Sequence, residues 1–285
     1  SEFFMGTRLR CANCHNHPLD RWTQDDYHGL AAVFAKVKQG RVIEVAANGE
    51  VSHPRTGEAA VPRIPGERFL KEPDGRTGIA EWLTDSRNPF FAKAAVNRLW
   101  KAMMGRGLVE PTDDLRATNP ATHPPLLSEL AEDFVRHGYD LRHTLRVIAL
   151  SSAYGRTSQA EPENRSDDRF YSHAFSKPLE PEVLADAIAD VTGVFDQYSD
   201  HPAGTRAVSL FDPKIESETL NVLGRCSREE SCETNGDASG GMTLKLHLLN
   251  GPLLNRRIVS AEGRLSKLVT AGVSPEEIVS HFYRL

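Results

Sequence analysis

The chain has 285 residues, of which 39% are hydrophobic and 26% are charged, a composition typical of soluble globular proteins. This length is enough for one large domain or two ordinary ones. The formal net charge of -5 gives no basis for nucleic-acid binding, which needs a concentrated basic surface. No apolar run approaches the roughly 18 residues needed to span a bilayer. We therefore expect neither a nucleic-acid partner nor a membrane span.

The chain opens with Ser-Glu-Phe, a triplet typical of a cloning remnant, and only a few residues precede the first polar cluster. That leaves no room for an export signal ahead of the cluster. We therefore expect the chain to be a fragment of a longer parent, whose other domains are its partners.

Four candidate ligands crowd the run Cys11-Ala-Asn-Cys14-His15-Asn-His17. Cys-x-x-Cys-His is the attachment signature of haem c, in which two thiols add to the porphyrin vinyl groups and the next imidazole binds the iron. The same side chains suit a transition-metal ion, since zinc accepts mixed cysteine and histidine ligands. Haem attachment does not need His17, whereas a metal ion could use it as a further ligand. The third interpretation is a pair of buried or redox-active thiols beside hydrogen-bonded histidines.

Residues 23 to 37 have the pattern of a helix that braces this cluster. Thr23 is the predicted N-cap, two aspartates follow in the first turn, and apolar residues recur at helical spacing. Trp22, just before the cap, is predicted to pack as an apolar lid in the core. Between residues 41 and 65, alternating residues around Asn48-Gly49 predict a short β-hairpin closed by a tight turn.

Glycine, proline and charged residues between 66 and 76 have the composition of a linker. We place a domain boundary there, with a ligand-cluster segment over residues 1–70 and a helical domain over residues 71–285. Apolar spacing in the second part predicts helices over 77–84, 88–104, 124–137, 141–152, 181–195, 244–249, 253–265 and 275–283. The predicted fold class is mainly α, an irregular multi-helix globule with one or two short β-hairpins and long loops.

Two stretches resist a helical assignment. Between residues 107 and 125, Asp113 and Asp114 beside Arg116 are the components of an acid and base site or a hard-metal site. Helix capping and turn hydrogen bonds are the commoner role of such residues. Residues 196 to 241 contain Cys226 and Cys232, which pair with each other, remain free or join the first cluster.

Several runs resemble a known family. The run from Arg8 through the cysteine cluster to Tyr27 resembles the end of the cytochrome-c-like domain of large planctomycete surface proteins. The runs that begin at Asn88, Gly105 and His247 resemble the uncharacterised domain that follows it. The resemblance implies export to the periplasm or cell surface, and electron transfer. It also implies cysteines near Cys232, from which we hypothesise that the C-terminal loop completes the N-terminal site.

One departure from a cytochrome favours an ion over a haem. The second axial ligand of a small haem c domain is often Met, and no Met occurs between Met5 and Met103. His28 or His53 would have to substitute. A metal ion needs only a few ligands and no large apolar pocket.

Three hypotheses follow for the function of the chain. The first is a transition-metal centre, zinc or another transition metal, whose ligands come from Cys11, Cys14, His15, His17, Cys226 and Cys232. With an open coordination position, that centre would be a metal-dependent hydrolase. It would act on esters or phosphoesters of a small-molecule substrate through a metal-bound water, with Asp20 or His28 as general base.

The second hypothesis is a haem c electron-transfer module attached at Cys11 and Cys14, with His15 as axial ligand. The third is a structural or partner-binding domain of a surface protein, in which the cysteine cluster serves stability alone.

Overall fold

A computed structural model of the chain describes residues 1–39, 43–70, 75–212, 214–225 and 242–285. Helices dominate the described residues, and the sheet found among them is a two-stranded ribbon. The predicted fold class, mainly α with a small hairpin, is therefore confirmed. The chain divides into two compact units, Ser1–Ser176 and Lys177–Leu285. Each unit is a group of residues that contact one another more than they contact the rest of the chain. The domain boundary that we placed near residue 70 stays a prediction.

The first unit begins with a short helix, α1 (Glu2–Met5), and a 3-10 turn at Arg10–Asn13. Helix α2 (Gln24–Val33) follows, with Thr23 as its N-cap and Asp26 completing a capping box. The predicted cap is confirmed. The prediction that the helix continues to Val37 was wrong, because the chain turns at Phe34 and Val37 begins a strand.

The ribbon pairs β1 (Val37–Gln39) with β2 (Ile43–Val45) in antiparallel register, with Val37 opposite Val45. The prediction that Asn48-Gly49 closes a hairpin was therefore wrong, since β2 pairs with the residues before it. Gly49 serves a close backbone approach instead. A Cβ atom at Gly49 would lie 2.2 Å from the carbonyl oxygen of Ala35. Any residue with a side chain would therefore clash with the backbone at this position.

Four further helices complete the regular structure of the first unit: α3 (Gly75–Leu83), α4 (Phe91–Met104), α5 (Pro124–Arg136) and α6 (Leu141–Ala149). Helix α4 begins where the Asn88 side chain accepts hydrogen bonds from the main-chain N–H groups of Phe90 and Phe91. It ends at Gly105, whose left-handed conformation is the usual glycine end of a helix.

Two apolar cores support the first unit. One lies between α4, α5 and α6 and includes Val96, Trp100, Leu130, Phe134 and Ile148. The other gathers residues from the start of the chain, from α2 and α3, and from the segment between these helices, namely Met5, Leu9, Ala12, Trp22, Val33, Ile64 and Trp82. The packing predicted for Trp22 is therefore confirmed, and the cysteine segment lies against the second core through Ala12.

The second unit contains α7 (Pro181–Thr192), α8 (Glu218–Val222), α9 (Met242–Asn250), α10 (Pro252–Ile258), α11 (Arg264–Thr270) and α12 (Pro275–Phe282). Its core includes Ala185, Tyr198, Leu220 and Leu223. The single helix predicted over 253–265 was wrong, since α10 ends at Ile258 and Gly263 starts α11. Over the ranges that the structure describes, we find no helix with the length and apolar character of a bilayer span.

Candidate cysteine and histidine site

The Cys-x-x-Cys-His segment is wound into the 3-10 turn at Arg10–Asn13, and Cys14 closes the turn by donating its N–H to the carbonyl of Cys11. Ala12 is fully buried, with 0% of its surface exposed. Cys11 and Cys14 are exposed free thiols. The turn therefore anchors itself in the core through Ala12 and leaves both thiols accessible to solvent.

The residues before Cys11 dock on a distant loop. Arg8 donates two hydrogen bonds to the carboxylate of Asp113, at 2.8 and 2.7 Å, and the Asp113 side chain is completely buried. The N–H of Leu115 donates to the carbonyl of Gly6 at 2.8 Å. A Cβ atom at Gly6 would come within 2.6 Å of the Leu115 side chain. The backbone at Gly6 also has a φ of +58°, which residues other than glycine rarely adopt. The start of the site therefore depends on a segment some hundred positions away.

Helix α2 supports the turn from behind. His28 donates from Nε2 to the carbonyl of Asn13 at 3.0 Å, and Gln24 donates from Nε2 to the carbonyl of Cys14 at 2.8 Å. His28 is 5% exposed, and its ring lies edge-on to that of His53 at 5.1 Å between centroids. The Nδ1 atom of His28 is buried without a hydrogen-bond partner among the described residues. His28 thus holds the main chain between the two cysteines.

The two histidines of the segment are held in opposite tautomers. His15 Nδ1 lies 2.8 Å from the carbonyl oxygen of Asn16, so Nδ1 carries a proton and Nε2 is the ring nitrogen left to bind a metal. His17 Nδ1 accepts the N–H of Leu19 at 3.2 Å, so its proton sits on Nε2. His15 is ready to bind a metal through Nε2, whereas His17 would first have to exchange tautomers.

The candidate ligands of the segment do not surround a common point. Within the described parts of the chain, the group of three ligating side chains whose donor atoms all lie within 4.8 Å of one another is Asp133, His137 and His143. No three of the donors at Cys11, Cys14, His15 and His17 meet that distance. Cys226 and Cys232 lie outside the described residues, so their predicted part in the site stays a prediction.

The two candidate general bases are engaged in local contacts. Asp20 accepts the N–H of Arg21 at 2.7 Å through one carboxylate oxygen and the indole N–H of Trp22 at 2.9 Å through the other. His28 donates to Asn13, as described above. The catalytic roles of Asp20 and His28 therefore stay predictions, and the contacts of both side chains are those of structural residues.

The irregular loop between residues 107 and 125 takes part in ion pairs, one of them with Arg8 just before the cysteines. Arg116 donates two hydrogen bonds of 2.6 Å to Asp114, which hold the pKa of that carboxyl below its usual value. The pKa of Arg116 is raised, chiefly by the same hydrogen bonds and to a smaller degree by the negative charges of Asp114 and Asp20. With Asp113 and Asp114 each bound to an arginine, the loop is a structural clamp. The sequence analysis did not predict that this loop contacts the residues just before the cysteines.

Comparison with known families places the chain among planctomycete cytochrome-c-like proteins. Residues 75–285 match PSD1, described as a protein of unknown function (DUF1553), and residues 1–39 match PSCyt2, described as a protein of unknown function (DUF1549). Because the first match covers more than half of the sequence, the chain belongs to the PSD1 family. No curated protein and no solved structure matches it.

Proposed function

We propose that the segment from Cys11 to His15 is an attachment site for haem c and that this part of the chain serves electron transfer. The observation that carries the proposal is the difference in tautomer between His15 and His17. Haem attachment takes two thiols and one imidazole. The segment presents two exposed free thiols and, at His15, one imidazole whose Nδ1 is held by the carbonyl of Asn16, which leaves Nε2 as the nitrogen to bind the iron.

The spacing of the donors supports the same proposal. Zinc bonds of about 2.0–2.3 Å bring its ligand atoms to within about 4 Å of one another. A haem makes a different demand, because its two vinyl groups lie on separate pyrrole rings and the iron lies further in, so the thiols and the imidazole need not converge. The described donors of the segment do not converge, which suits a haem better than a single ion.

The chain's own contribution would be to orient the axial ligand. The carbonyl of Asn16 accepts the Nδ1 proton of His15, which fixes the ring and makes Nε2 more basic, as hydrogen-bond partners of metal-bound histidines commonly do. The buried Ala12 and the His28 hydrogen bond to Asn13 keep the turn in place. A haem bound there would supply a one-electron redox centre. Export to the periplasm or cell surface belongs to the same proposal.

A matched pair of variants tests the proposal against a zinc hydrolase. We would express the wild type, His15→Ala and His17→Ala in a host with active haem c maturation, and measure haem and zinc per chain. We expect covalently bound haem in the wild type and in His17→Ala at equal levels. We expect His15→Ala to lose the spectrum of a histidine-ligated haem.

The zinc hypothesis makes the opposite forecast for the same proteins. It requires zinc in the wild type, a lower zinc content in His17→Ala and no haem in any of the three. That outcome would overturn the haem proposal. It would favour the metal-dependent hydrolase, with Asp20 or His28 as general base.

A further inference from the structure

A second cluster of ligating side chains lies where α5 meets α6, away from the cysteine segment in sequence. Asp133 lies in the last turn of α5, His137 follows the end of that helix, and His143 lies in the first turn of α6. Within the described residues these three side chains form the group that brings three donor atoms within 4.8 Å of one another. Two imidazoles and a carboxylate are ligands that zinc accepts.

The donor atoms of the cluster already lie close together, where they now contact one another directly. Nε2 of His143 lies 2.8 Å from Oδ2 of Asp133, and Nδ1 of His137 lies 3.3 Å from Oδ1 of the same carboxylate. Two atoms bonded to zinc at about 2.0–2.1 Å in tetrahedral geometry lie about 3.3 Å apart. The two imidazole rings stack with 3.7 Å between centroids and 19° between planes. Because an ion lies in the plane of each imidazole that binds it, the stacked rings cannot both bind one ion as they stand. The His137 side chain would have to turn, and its Nδ1 would leave the main-chain carbonyl of Asp133 that it contacts at 2.9 Å, while the backbone stays in place.

The backbone fixes these positions. Asp140 caps α6 by accepting the N–H groups of Arg142 and His143, at 2.8 and 3.1 Å. Gly138 and Tyr139 reverse the chain in the left-handed conformation, with φ of 62° and 63°. The hydroxyl of Tyr139 donates to the carbonyl of Thr84 at 2.8 Å. Because both ends of the turn are tied down, little conformational entropy remains to be lost when a ligand binds.

The charge of the cluster also suits a cation. Asp133 accepts the hydrogen bond of His143 at 2.8 Å, so its carboxyl group faces the two imidazoles. The side chains of Asp133, His137 and His143 are 23%, 46% and 29% exposed, so an ion can reach them from solution. Arg136, which is 65% exposed and 3.1 Å from Asp133, is the competing cation, and its long side chain is free to move aside.

We propose that Asp133, His137 and His143 bind one divalent transition-metal ion, with zinc as the best-matched species, and that the ion joins α5 to α6. On binding, both imidazoles exchange tautomers: the proton that Nε2 of His143 donates to Asp133 moves to Nδ1 of the same ring, and the proton that Nδ1 of His137 donates to the main-chain carbonyl of Asp133 moves to Nε2. Three protein ligands leave one position of a tetrahedral ion for water. This site is independent of the haem proposal, since none of its residues belongs to the cysteine segment.

Titration with zinc chloride tests the proposal, in a Cys11→Ser/Cys14→Ser background that removes the two thiols of the cysteine segment. We expect one more zinc ion per chain in this background than after adding His143→Ala, or an affinity at least tenfold higher. Asp133→Asn, which keeps the shape of the side chain and an acceptor for His143, should show the same loss. His201→Ala, which removes a histidine of the second unit, is the matched control and should bind like the background.

Cobalt(II) provides the second readout. Cobalt bound by nitrogen and oxygen ligands absorbs weakly in the visible and lacks the strong near-ultraviolet charge-transfer band of a thiolate site. We expect the weak spectrum in the Cys11→Ser/Cys14→Ser background and its loss in both cluster variants. If the variants bind zinc and cobalt as the background does, the proposal is overturned, whatever the outcome for haem.

Discussion

Two groups of ligating side chains in the first unit differ in how they are assembled. The cysteine segment packs Cys11, Cys14, His15 and His17 into one turn, yet its donors spread outward, because the turn buries Ala12 and points its neighbours to solvent. The α5–α6 cluster draws its residues from three separated positions, and its donors converge. Closeness along a sequence therefore says less about ion binding than the direction in which the backbone aims each side chain.

The two groups also differ in what holds them. The cysteine segment has no long helix of its own and rests on side chains that reach it from elsewhere, among them Asp113, Gln24 and His28. The α5–α6 cluster rests on two helices, a cap and their packed core. Substitutions in the distant supports should thus loosen the cysteine segment and leave the second cluster unchanged.

The largest expected effect comes from Arg8→Met, which removes the partner of Asp113. A completely buried carboxylate left without its cation costs about 3 kcal/mol of unfolding free energy. Urea unfolding at neutral pH measures the loss. Arg87→Met is the control, because Arg87 pairs with Asp85 on the surface, and we expect no measurable change from it. Equal stability of the two variants would show that the clamp on Asp113 is not a support of the site.

A smaller effect is expected from His28→Leu, which keeps the volume but removes the donor to the Asn13 carbonyl. We expect a loss of about 1 kcal/mol, since one hydrogen bond disappears together with the unpartnered Nδ1 of the same ring. Hydrogen exchange gives the local readout, and the amides of Cys14 and His15 should exchange faster. The amides of α6 should not change, and faster exchange there instead would contradict the separate support of the two groups.

The smallest effect concerns Asp114, whose pKa in the folded protein lies below its usual value of 3.8 because Arg116 binds it. The folded chain therefore binds a proton less readily than the unfolded chain, so this carboxylate stabilises the fold above pH 3.8 and loses that contribution as the pH falls further. Asp114→Asn should unfold at lower urea concentration than the wild type at neutral pH. The two midpoints should approach each other in acid, and a constant difference would rule out the ionised pair as the cause.

Much of the helical structure was predictable because it depends on local signals. The stop at Gly105, the proline starts of α5 and α7 and the cap at Thr23 are each encoded within a few residues. The β-ribbon was mispredicted because Val37 fits a helical stripe as well as a strand. Only its pairing with Val45 decides between them.

The candidate site was predictable in composition and not in geometry. Cys11, Cys14 and His15 stand out in the sequence, but the tautomers of His15 and His17 depend on contacts with Asn16 and Leu19 that only coordinates reveal. The α5–α6 cluster was missed because its sequence signal is weak. It consists of an aspartate and a histidine four residues apart, followed by a second histidine beyond a glycine turn.

The most direct test of the haem proposal is the absorption spectrum of the denatured protein, purified from a host with active haem c maturation. The proposal predicts a Soret band that stays with the polypeptide after denaturation and disappears in Cys11→Ser/Cys14→Ser. A colourless wild-type protein from that host, with both thiols still free, would contradict it.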